Sequence, residues 1–204
     1  MKTIIFDFDG VLINSFSNLY SLMRDAMAVV DVSLSESQYR EFFRENVQTA
    51  FRKFIPNNED YQKFKEFRLA HYLEYYRGAD LFPEAADLVR TLASTHILTI
   101  ASAAKDEAIL SVLERYGIRD LFRLIWTTQG KDKNELISEI LHTLNVSPKE
   151  CIVVTDSSGD IIAAQKCGLP TIGVTWGFQS PEIIQTANPT YLVANFEELR
   201  KCLS

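Results

Sequence analysis

A parallel α/β sheet with helices on both faces, interrupted after its first strand by a helical segment, is the fold class predicted by three observations. Short runs of branched and aromatic residues, among them TIIF at 3–6, HILTIA at 96–101 and CIVVT at 151–155, alternate with segments of helical period. These runs are apolar throughout, as strands covered on both faces are, instead of alternating apolar with polar. From residue 14 to residue 77 the alternation stops and only helical patterns occur. The predicted organisation is therefore an α/β core from 1–13 and 81–204, with a second, smaller helical domain over 14–80 joined by two connections.

The elements follow in order. Thr3, Ile4, Ile5 and Phe6 are too few for a helix of ordinary length and are stopped by Gly10, which predicts a buried strand. Leu19, Leu22, Met23, Ala26 and Val30 recur at helical spacing. Ser35 with Gln38 is a capping-box pattern, Leu34 is placed to staple onto Tyr39, and the helix is predicted to run to about residue 46. A helix over 59–76 places Tyr61, Phe64, Arg68, Tyr72 and Tyr75 on one face, a pattern of core packing. Gly78 ends it and Pro83 opens the next element. Helices are then predicted over 84–94, 105–116, 135–144, 160–167, 181–186 and 196–202, and strands over 96–101, 124–127, 151–155, 171–174 and 191–193.

Composition bounds the partners. The chain of 204 residues is 47% hydrophobic and 24% charged, enough to bury a sizeable core. A net charge of −6 without a basic run gives no electrostatic support to a nucleic acid or an anionic membrane as partner, and points to a small molecule. Cys151, Cys167 and Cys202 are odd in number and lack metal-type spacing, which predicts reduced thiols in a cytoplasm. Asp7 comes too early to leave room for a signal-peptide apolar region, and no stretch is long enough to span a bilayer. A soluble cytoplasmic protein, monomer or homodimer, is expected.

In parallel α/β sheets ligands bind outside the carboxyl ends of the strands. Asp7 and Asp9 stand there after the first strand, two residues apart, so their carboxylates point the same way and Phe8 the other. Ser102 follows the HILTIA strand, Lys131 and Lys133 precede a helix, and Asp156 follows CIVVT with Asp160 beyond it. Each has a plain structural explanation alone: a helix cap, a solvated lysine, an acidic turn. Three carboxylates, a hydroxyl and an ammonium at one sheet edge are an odd assembly for packing.

DFDGVL, the strand ending in Ser102, the lysine before an amphipathic helix and DSSGD resemble, in type, order and spacing, the four motifs of the haloacid dehalogenase superfamily, in its phosphatase branch. The tail, with Gly173, Trp176 and Gly177 before Pro181, is similar to that of phosphoglycolate phosphatase relatives. The resemblance covers nearly the whole core. It implies a Rossmann-like core with a helical cap and hydrolysis of a small phosphorylated substrate through an aspartyl phosphate. It implies Asp7 as nucleophile and Asp9 as general acid and base. Ser102, Lys133 and Gly10 would bind phosphate, and Mg²⁺ would sit on Asp7, Asp9 and Asp156, with Asp160 beside it. Lys133 fits a lysine just before ELI, whereas Lys131 fits a spacing used when proline follows, and Asp132 is not proline; Lys133 is preferred. Two departures stand out: Thr155, where relatives carry glycine, is expected to crowd the metal loop, and Asn14 replaces an aspartate.

Rival classes fit less well. A signalling receiver would carry its acidic pair and its phosphorylated aspartate on different strands, without an insert. A dinucleotide-binding protein would show GxGxxG, and here Gly10 stands alone. Within the family, a dehalogenase normally lacks the second aspartate. Residues 14–52 contain no lysine or histidine, which speaks against the imine chemistry of phosphonoacetaldehyde hydrolases and against sugar-phosphate mutases. Arg24, Arg40, Arg44 and Arg52 are the cations of that stretch, and one facing the core would suit a substrate carboxylate.

Overall fold

The computed structural model describes residues 2–204. Its strands are β1 (Thr3–Phe6), β2 (Ile13–Asn14), β3 (Asp80–Leu81), β4 (Ile97–Ser102), β5 (Phe122–Thr127), β6 (Cys151–Thr155), β7 (Thr171–Val174) and β8 (Tyr191–Val193). Its helices are α1 (Phe16–Ala28), α2 (Glu36–Glu41), α3 (Val47–Phe54), α4 (Asn58–Tyr76), α5 (Ala85–Ala93), α6 (Asp106–Arg115), α7 (Lys133–Leu144), α8 (Ser158–Lys166), α9 (Pro181–Thr186) and α10 (Phe196–Leu203).

Six strands form one parallel sheet in the order β5-β4-β1-β6-β7-β8. The pleat of β1 explains the continuous apolar run read in the sequence. Ile4 and Phe6 enter one cluster with Leu88, Val89, Ile109, Val112 and Leu199, whereas Ile5 enters the opposite one with Leu136, Ile137, Ile140 and Ala164. Helices α5, α6 and α10 thus cover one face, and α7 and α8 the other. From β1 the chain moves outward to β4 and β5, then crosses back to β6. The reversal opens a crevice at the carboxyl ends of β4, β1 and β6.

Helices α1 to α4 lie between β2 and β3, which pair antiparallel with Ile13 opposite Leu81 and Asn14 opposite Asp80. The capping box at Ser35 forms in both directions, with Gln38 N donating to Ser35 Oγ (3.2 Å) and Ser35 N to Gln38 Oε1 (2.8 Å). The helix it opens is shorter than predicted. It stops at Glu41, a 3-10 turn covers Phe42–Arg44, and Asn46 opens α3 by accepting from Gln48 N and Thr49 N (3.0 and 3.3 Å). Asn46 is a start where the sequence reading placed an end. The insert meets the core through rings: Phe178 lies 5.1 Å from Phe16 and 5.0 Å from Phe43, both near edge-on. No helix among the described residues is long and apolar enough to cross a membrane, and the three cysteines are free thiols.

Candidate active site

The crevice holds a cavity of about 470 Å³ lined by Asp7, Asp9, Ser102, Lys133, Asp156 and Asp160 from the sheet edge, and by Tyr39, Phe51, Arg68 and Tyr72 from the insert. Asp7 follows β1, and its amide still bonds to Val154 O (2.9 Å), which continues the ladder and fixes the residue in place. Its Oδ1 accepts from Phe8 N (2.8 Å) and Lys133 Nζ (3.0 Å). Among the described residues nothing bonds Oδ2. Burial pushes Asp7 up to about 7, against the Lys133 charge and with help from Asp160 and Asp9.

Asp9 accepts on Oδ1 from Ser15 Oγ (2.5 Å) and from Tyr76 Oη (3.0 Å). Burial raises its pKa, and the two hydroxyls oppose the shift.

Lys133, the first residue of α7, reaches both Asp7 and Asp160 (Oδ2, 2.7 Å). Burial lowers its pKa, but the two carboxylates more than offset this and hold the ammonium above its usual range. Lys131 borders the same cavity but pairs with Glu139 at 2.6 Å, half-exposed, and bonds neither Asp7 nor Asp160. The two lysines are separated by Asp132, whose capping box with Glu135 starts the helix so that residue 133 faces the cavity. Ser102 is buried at the end of β4, where its Oγ accepts from Ala104 N (3.0 Å).

Asp156 is buried and its Oδ2 accepts from Phe178 N (2.6 Å). Burial, followed by the charge of Asp7, drives its pKa well up. Two glycines make room for it. A Cβ on Gly10 would come 2.0 Å from Asp156 Oδ2, and one on Gly177 would come 2.3 Å from its Cβ and Oδ2. Gly10 donates its amide to Ile13 O (2.9 Å) at φ +72° and makes space behind the carboxylate. Gly177→Ala should therefore displace Asp156, lowering stability by about 1–3 kcal/mol, the usual cost of overpacking, together with activity. Unchanged melting and unchanged turnover would contradict that packing.

Thr155 does not crowd the turn after β6. Its hydroxyl accepts from Ser157 N (3.1 Å) and donates to Asp160 Oδ2 (3.4 Å), so it orients the carboxylate that Lys133 also holds. Four residues of the site escaped the sequence reading. Ser15 and Tyr76 bond Asp9, Phe178 holds Asp156, and Gln179 joins Ser158 N (2.6 Å) to Arg40 O (3.2 Å) across core and insert. Tyr75, placed on the packed face of α4 by its spacing, does pack against the core and bonds Asp25 (2.6 Å), while the neighbouring Tyr76 is the one that reaches Asp9.

The donor chemistry suits a hard divalent cation. Asp7, Asp9 and Asp156 offer oxygen ligands, and of the aspartates lining the cavity only Asp7 and Asp160 pair with Lys133. The donors are not gathered around an ion: among the described residues no three His, Cys, Asp or Glu side chains group closely enough to hold one. Asp156 is turned to the Phe178 amide and Lys133 lies between Asp7 and Asp160.

The sequence profile described as Haloacid dehalogenase-like hydrolase matches residues 4–174. The chain is similar to the phosphoglycolate phosphatase of Synechococcus elongatus, 26% identical over 100% of this chain and 98% of that protein. It is also similar to pyrophosphatase PpaX of Oceanobacillus iheyensis, 22% identical over 98% of this chain and 95% of that one. Among solved structures, a haloacid dehalogenase-like family hydrolase from Streptococcus pneumoniae superposes with a TM-score of 0.87 at 20% identity, covering 100% of this chain and 99% of that one. At that identity the superposition establishes the fold.

Proposed function

The chain belongs to the haloacid dehalogenase-like hydrolase family and is a phosphatase, and from that premise we propose that it hydrolyses a small phosphomonoester through a Mg²⁺-dependent aspartyl-phosphate route. The observation that carries this reading is the state of Asp7, which lines the cavity with Asp9: Oδ1 is fixed by Phe8 N and Lys133, while Oδ2 has no partner among the described residues.

The proposed roles use that geometry. Asp7 Oδ2 attacks phosphorus, forming the acyl phosphate as the bond to the leaving oxygen breaks, and Asp9 gives that oxygen a proton. Asp9 then takes a proton from the water that attacks the acyl phosphate, which releases phosphate and restores Asp7. Tyr76 and Ser15 hold Asp9 in position through both steps. Lys133 and Ser102 stabilise charge on the phosphoryl oxygens, where positioning and electrostatics contribute most of the rate. Asp7, Asp9 and Asp156 would hold Mg²⁺, which when bound screens the repulsion between the nucleophile and an anionic substrate. Residues 14–80 act as a cap domain that excludes water and large substrates. Free thiols support a cytoplasmic setting.

Relatives named for phosphoglycolate and pyrophosphate point to compact anionic substrates, with sugar phosphates next. The test is phosphate release from phosphoglycolate, sugar phosphates, nucleotides and a phosphopeptide, with Mg²⁺ and after exhaustive chelation. Small esters should be hydrolysed, the phosphopeptide spared, and chelated enzyme inactive until Mg²⁺ is restored. Full turnover without metal would remove the cation from the mechanism, and preference for the phosphopeptide would remove the cap as a size filter.

A further inference from the structure

Four arginines of the insert already have partners. Arg24 pairs with Asp25 (2.8 Å), Arg40 with Glu36 (2.8 Å) and the Phe178 carbonyl, and Arg44 with Glu41. Arg52 bonds Asn58 and stacks 4.3 Å over the Tyr61 ring. Of these four only Arg44 lines the cavity, and it does so already paired with Glu41.

Arg68 differs. It stands on α4, is half-buried, and lines the same cavity as Asp7, Asp9, Ser102 and Lys133. Among the described residues its guanidinium has no carboxylate or carbonyl within bonding distance. Its surroundings are rings instead: the guanidinium carbon lies 5.5 Å from the Phe51 centroid and 5.7 Å from the Phe64 centroid. Tyr39 and Tyr72 line the same cavity wall, so the guanidinium shares one space with Asp7 and Asp9. Other charges on the wall are already matched: Arg44 by Glu41, Glu45 by Lys53 and Lys131 by Glu139. Lys166, at the rim, is exposed.

A guanidinium remains charged at any ordinary pH, and holding one against aromatic walls without a counter-ion is costly unless an anion arrives. Its planar fork matches a carboxylate or a phosphate, and weak local screening strengthens that bond. We infer that Arg68 binds a second anionic group of the substrate, at the end away from the phosphoryl group on Asp7, and so selects phosphomonoesters that carry a carboxylate or a further phosphate. This rests on the phosphatase reading above.

The test compares 2-phosphoglycolate with 2-hydroxyethyl phosphate, which differ only in carboxylate against hydroxymethyl, with pyrophosphate as a third arm. Arg68→Gln should lower the ratio of kcat/KM for phosphoglycolate over hydroxyethyl phosphate by about 10- to 150-fold, the range of one charged hydrogen-bonded contact, mostly through KM. Arg68→Lys, which keeps the charge and the packing stem, should fall between. A larger loss on pyrophosphate than on phosphoglycolate would identify phosphate as the group read. An unchanged ratio in either variant, or equal loss on all three substrates, would overturn the inference. Binding of phosphonoacetate and ethylphosphonate, followed by calorimetry, separates this result from the fate of the phosphatase reading. If the wild type hydrolyses none of the esters yet prefers phosphonoacetate only while Arg68 is present, the subsite stands and the activity falls. If it hydrolyses them without regard to Arg68, the subsite alone falls.

Discussion

Asp7→Asn should abolish turnover and, in chelator at pH 8, should melt at a higher temperature than the wild type. The amide keeps the shape of the side chain but cannot attack phosphorus, and loss of a covalent nucleophile removes about 10⁴-fold or more of the rate. The stability gain follows from the sign of the pKa shift. Burial raises Asp7 from an ordinary 3.8 to about 7, so the folded state holds this proton to higher pH than the unfolded chain does. Stability from the group is complete below the unfolded value and is lost as pH rises toward 7, above which folding buries an anion. Asparagine removes that penalty, while Lys133 retains Asp160 at 2.7 Å. Melting of the wild type should therefore fall more steeply between pH 5 and pH 8 than that of the variant. At pH 8 the gap should be about 2–8 °C, from the 2–4 °C that each kcal/mol moves a chain of this size. Residual wild-type turnover, or a lower melt for the variant at pH 8, would refute the assignment.

Lys133→Ala is expected to cost about 2–4 kcal/mol of transition-state stabilisation, the range for one preorganised donor in a sequestered site. The same change frees two partly buried carboxylates of their shared ammonium. Lys131→Ala should alter turnover less than about threefold, because its ion pair with Glu139 is half-exposed and such pairs contribute little. Steady-state rates on one substrate decide the ranking, and the reverse order would reassign the role.

The sheet was legible because its strands are apolar on both faces: β1, β6, β7 and β8 occupy the residues the sequence indicates. The polar residues at their carboxyl ends were legible for the same reason, since a parallel sheet aligns those ends without further information. The pairs β2 and β3 are two residues each and leave no period to read. Helix α3 was legible in principle, with Val47, Ala50, Phe51 and Phe54 at helical spacing. It was lost because Asn46 serves equally as an end or a cap. Contacts across the fold were beyond reach. Nothing local distinguishes Tyr76 from Tyr75, although one bonds Asp9 and the other Asp25. Nor does composition separate Arg68 from its four paired counterparts, because pairing depends on which carboxylates the fold brings near.

The short antiparallel contact between β2 and β3 sets Asn14 beside Asp80. Closing a long chain segment costs entropy that grows only slowly with its length, and this contact closes the loop next to the catalytic strand whatever lies between. The intervening helices can lengthen, shrink or exchange side chains while the strand carrying Asp7 keeps its neighbours and register. The separation has one crossing: Ser15 and Tyr76 lie in the insert yet bond Asp9, whereas the bond from the Asp7 amide to Val154 O lies wholly within the sheet.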